Sequence, residues 1–133
     1  MIGTRNSVGM LRFAVLLGMV AALVTGGTSI AAQGVPNFPN IGGDWSHIDI
    51  NRKIGGKWHT LTLDRGRIIQ VTGTQLNLRE PDGTVAQIPL TPSAIVRINS
   101  FPGSIYQLRR GMNTMTMRID GGPAVRIKVA ARL

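Results

Sequence analysis

Between Trp58 and Val129 apolar and polar residues trade places at nearly every step, and glycine-bearing turns interrupt the pattern at short intervals. Alternation with period two is what a strand needs to keep one face dry, and it is incompatible with the 3.6-residue period of an amphipathic helix. The last segment is the cleanest case: Val125, Ile127 and Val129 alternate with Arg126 and Lys128. Met115, Met117 and Ile119 alternate with Thr116 and Arg118, while Ala94, Val96 and Ile98 alternate with Arg97. Leu76 and Leu78 oppose Gln75 and Asn77, and Ala86, Ile88 and Leu90 form another such set. The chain is therefore read as all-β.

Turn chemistry divides the strands. Pro81-Asp82-Gly83 presets φ with proline and admits positive φ at glycine, and Asp64-Arg65-Gly66 and Asp120-Gly121-Gly122 read as turns on the same grounds. Gly73 separates a strand over Arg67–Thr72 from one over Thr74–Arg79. Pro89 and Pro92 cannot donate to a ladder, so the strand before them is at a sheet edge or ends there. The one helical candidate after residue 33 is Ser104–Arg110, with Ser104 as N-cap, Ile105 and Leu108 on one side and Gly111 as the stop. It amounts to one or two turns. Six or seven short strands closed into a small antiparallel barrel would leave no exposed edge, so a barrel is expected over residues 44–133.

The amino-terminal third is different. Arg5 and Arg12 precede an apolar run from Phe13 to Val24, which gives way to Thr25-Gly26-Gly27-Thr28-Ser29 and then Ile30-Ala31-Ala32. Basic start, apolar centre and small-residue exit are the layout of a secretory signal peptide, here residues 1–31 with cleavage after Ala31. The alternative is an uncleaved helix over 13–32 that anchors the chain. Both readings put the remainder outside the cytoplasmic membrane, either secreted or in the cell envelope. Residues 32–43, with Pro36, Pro39 and several glycines, read as an extended linker.

The quoted segments also form a series. Gly66-Arg67-Ile68-Ile69-Gln70-Val71-Thr72-Gly73-Thr74-Gln75-Leu76-Asn77-Leu78, then Asp82-Gly83-Thr84, then Ile105 to Met112 follow a pattern of spaced apolar residues and turn glycines. Over Gly66 to Val129 this resembles the secreted bacterial β-domains often described as OB-like. Met112 stands where those domains usually have an aspartate after the L-x-x-G glycine. The resemblance implies a small β-barrel of the cell envelope and carries no catalytic residues with it.

Composition removes several chemistries. There is no cysteine, which excludes disulfides, thiolate metal ligands and a thiol nucleophile. Asp64, Asp82 and Asp120 sit beside glycines in expected turns, and nothing in the sequence brings Asp49 near Glu80, so no carboxylate pair is read. There is no G-x-S-x-G and no phosphate-cradling loop. The chain is read as non-enzymatic and without a cofactor.

His47, Asp49 and His59 are the sole metal-like group. If Gly55-Gly56 make a two-residue hairpin turn, opposed residue numbers sum to 111. His59 then opposes Arg52, on the other face from His47 and Asp49, which makes the group a minor alternative. Charge is the stronger hint: without Arg5 and Arg12 the chain has 13 Lys+Arg against 6 Asp+Glu. Arg97, Arg118, Arg126 and Lys128 take outward strand positions and are the expected contacts for an anionic polymer, a membrane surface or an envelope protein. Nucleic acid is set aside, because no aromatic residue lies in the strands from Arg67 to Glu80 to stack on bases.

Overall fold

The structure, a computed structural model, describes residues 34–130; the expected signal peptide over 1–31 and the alternative anchor over 13–32 lie outside the described residues. Among the described residues the chain is all-β. Its strands are β1 His47–Ile54, β2 Lys57–Val71, β3 Gln75–Arg79, β4 Val85–Pro89, β5 Ile95–Ile98, β6 Phe101–Gly103, β7 Asn113–Ile119 and β8 Ala124–Ala130, with a 3₁₀ turn at Ile105–Gln107. No helix among these residues is long and apolar enough to cross a membrane.

One sheet takes all eight strands in the order β4-β3-β2-β7-β8-β5-β6, with β1 also paired to β2. Every pairing is antiparallel except β5 with β8. Two expectations change here. There are eight strands rather than six or seven, and the sheet does not close into a barrel. Its ends, β4 and β6, each carry a proline, Pro89 and Pro102, which lacks the N–H needed to recruit a further strand. These two edges are blunted locally instead of being removed by closure.

β2 organises the sheet. At 15 residues it holds β7 along one side and two partners end to end along the other, β1 against Lys57–Asp64 and β3 against Arg67–Val71. The expected turn at Asp64-Arg65-Gly66 does not exist; those residues run straight through the strand. Gly66 is required there because a Cβ would collide with the Arg79 carbonyl oxygen and lie 3.1 Å from the Glu80 Cα. The β1–β2 turn matches expectation: Gly55 and Gly56 have φ of 57° and 81°, and His47 opposes Asp64 as the predicted register requires.

The alternation sorts side chains onto two faces. On the inner face Ile68, Leu76, Leu78, Ile88, Val96, Ala124, Ile127 and Val129 form one core with Leu90, Ile105 and Leu108. The 3₁₀ turn supplies Ile105, and Ser104 begins it with its N–H bonded to Gln107 Oε1 at 2.9 Å. On the reverse face Ile48 and Ile50 lie in register with Leu63 and Leu61, which oppose Met117 and Ile119. Further along that face the apolar residues give way to arginines. The extended arm joins it: Arg126 donates to the carbonyls of Pro36 at 2.7 Å and Val35 at 3.1 Å.

Candidate functional site

Two polar constellations stand out, one on each face of β2. The first is on the inner face, beyond the apolar core. Asp64 is 1% exposed although it is a carboxylate. Its Oδ1 lies 2.6 Å from His47 Nδ1, its cross-strand partner on β1. From β7, Arg118 brings Nη2 to 3.7 Å from Asp64 Oδ2. His47 Nε2 is 3.5 Å from Asp49 Oδ2, and Asp49 is held by the Thr62 hydroxyl at 2.7 Å. Glu80, 6% exposed, enters from the end of β3, where Gly83 N–H bonds its carbonyl and its own N–H bonds Thr84 O. Ser46 Oγ reaches Glu80 Oε2 at 3.3 Å.

These contacts set the proton affinities. The Asp64 carboxylate, bonded to its ring, raises His47 above the ordinary 6.5. Burial raises Glu80 above 4.5, and the Asp64 charge adds to it. The Thr62 hydroxyl lowers Asp49 below 3.8. Three buried polar atoms in this region make no hydrogen bond: Asp64 Oδ2, Thr116 Oγ1 and Arg118 Nε.

Of the metal-like group from the sequence, His47 and Asp49 do come together and His59 does not. His59 faces the other way, with Nδ1 2.5 Å from Asp120 Oδ2 at the β7–β8 turn. In place of His59 the fold supplies Asp64 and Glu80, both passed over in the sequence. Asp64 beside glycine has the local signature of a turn, and Glu80 reaches it across a non-local strand pairing. The adjacent Gly66, which permits the approach of Arg79 and Glu80, was the available signal.

The second constellation is basic and lies on the reverse face. Arg65, Met115, Lys128 and Arg97 form one row across β2, β7, β8 and β5. Arg67 directly opposes Arg79 on β3. An open cleft of about 510 Å³ is lined by Arg65, Arg67, Arg79 and Lys128 over Met115 and Ala130. A neighbouring cleft shares Arg67 and Arg79 and adds Arg110, and a third, by Phe38, shares Lys128 and adds Arg97 and Arg126. No carboxylate lines any of the three.

Of the four expected contact residues, Arg97, Arg126 and Lys128 share this face. Arg118 is a correction: it alternates with Met117 and Ile119 as expected, but the methionine side of β7 is the reverse face, so Arg118 falls with Thr116 on the inner face, opposite Thr62 and beside Asp64. Arg126 is occupied by the arm, and Arg97 donates to Ser100 O at 3.1 Å. Arg65 is held by the Trp45 carbonyl, lies 4.6 Å from the Trp45 ring centroid and is 3.9 Å from Asp44. Among the described residues no carboxylate pairs with Arg67, Arg79 or Lys128. Arg65, Arg67 and Arg79 were missed because two of them sat in or beside a supposed turn.

Comparisons with protein families, with curated proteins and with solved structures find no match to this chain.

Proposed function

We propose that the chain is an exported, non-catalytic binding module of the cell envelope, akin to the secreted OB-like β-domains, whose reverse face takes a phosphate-bearing polyanion. One observation carries this reading. Arg67 and Arg79 stand directly opposite each other with no acid in either cleft they share. Like charges in that position destabilise a sheet by roughly 0.2–1 kcal/mol, so the arrangement has no rationale in stability. With Lys128 and Arg65 nearby, it matches an anionic surface.

The test is binding of the full chain to vesicles of phosphatidylglycerol and phosphatidylcholine, with soluble polyphosphate as competitor. Each cation at such a surface contributes about 1 kcal/mol, so replacing Arg67, Arg79 and Lys128 with glutamine is expected to weaken binding roughly a hundredfold. Competition by polyphosphate identifies phosphate itself as the recognised group, and its failure assigns recognition to the lipid surface. Unchanged binding of the triple variant at low salt rejects the proposal. The single change Arg79→Thr is expected to raise the unfolding midpoint while weakening binding, the trade that a functional like-charge pair implies.

A further inference from the structure

We infer that His47, Asp64 and Glu80 form a binding site for a divalent cation of the zinc class. One ligand atom from each lies within 4.8 Å of the others, and the three come from β1, β2 and the loop after β3. Imidazole with two carboxylates is a nitrogen–oxygen set suited to such ions, with a fourth position left open to water.

An independent observation points the same way. Asp64 is almost wholly removed from water, yet its Oδ2 accepts no hydrogen bond. An unsatisfied buried carboxylate oxygen is costly, and the nearest cation, Arg118 Nη2 at 3.7 Å, does not satisfy it. A metal ion beside the carboxylate would.

The surroundings fit as well. His47 turns Nε2 toward Asp49, which Thr62 fixes in place. A carboxylate behind the second ring nitrogen is how metal-bound histidines are oriented. Charge balances too: Asp49, Asp64 and Glu80 oppose a divalent ion plus Arg118, with His47 neutral. The short His47–Asp64 contact is the bond an entering ion would open. This site is on the opposite face of β2 from the basic clefts, so the two proposals stand or fall separately.

The test is calorimetric titration of the full chain with zinc, and with cobalt to read the ligand field. One ion per chain is expected, with a melting-temperature rise of about 10 °C at a hundredfold excess over Kd. His47→Ala and Glu80→Gln each should weaken binding at least about tenfold, and Asp49→Asn by about ten- to a hundredfold. Circular dichroism confirms that each variant is folded; where Glu80→Gln is not, His47→Ala and Asp49→Asn decide, since both positions are solvent-exposed. His59→Ala is the control and should bind as the parent does. No binding at millimolar zinc, equal affinity in all variants, or loss confined to His59→Ala would each overturn the assignment.

Discussion

Asp64 and Gly66 are two residues apart on the inner side of β2, and each makes sense only through the other's neighbours. Gly66 leaves room for the Arg79 carbonyl and so allows Glu80 to approach Asp64. Gly66→Ala puts a methyl group where backbone already lies. Because neither backbone is a flexible side-chain tip, the expected cost is about 1–3 kcal/mol, with Glu80 displaced from Ser46. Urea unfolding measures the first effect, and amide chemical shifts at Ser46 and Glu80 report the second; an unchanged midpoint would show that β3 yields freely. The same two residues mark the limit of sequence reading. Asp-Arg-Gly has the composition of a turn, and only pairing with β7, remote in sequence, holds it extended.

Among the elements, the hairpins were the most legible. Gly55-Gly56 determines the β1–β2 register, and that register alone separates His59 from His47. Pro89 marked a strand that lies at an edge or stops there, and β4 does both. Less legible were β6, only three residues long, and the face taken by Arg118, because alternation separates it from Met117 and Ile119 without saying which of the two sets meets the core. The β7–β8 turn offers a pH prediction. Asp120 accepts from His59 and from the Thr60 N–H at 2.9 Å, and these bonds hold its carboxyl below the usual 3.8. A lowered folded value gives stability that is present above the unfolded value and is lost as acid takes pH through the folded one. The unfolding free energies of the parent and of Asp120→Asn should therefore differ at neutral pH and converge below about pH 4. A constant difference down to pH 2 would remove the His59–Asp120 contact from the account.

At the scale of the molecule, the all-β class followed from alternation, whereas closure did not, since period two says which side a residue faces and nothing about which strands meet. The arm shows the same limit. Residues 32–43 carry no apolar period, yet Arg126 fastens Val35 and Pro36 to β8. Arg126→Ala should leave the sheet intact and speed proteolytic cleavage near Gly34, read by mass spectrometry of timed digests; an unchanged cleavage rate would mean that other contacts secure the arm.

Residues 64–67 set an acid and a glycine on one side of β2 and two arginines on the other. Sliding this strand by a single position would drive both guanidinium groups toward the hydrocarbon interior and leave the carboxylate among cations in solvent. Misaligned sheets are thus penalised by charge as well as by misplaced leucines, and the charge penalty is greatest where β2 passes from pairing with His47 of β1 to pairing with Arg79 of β3.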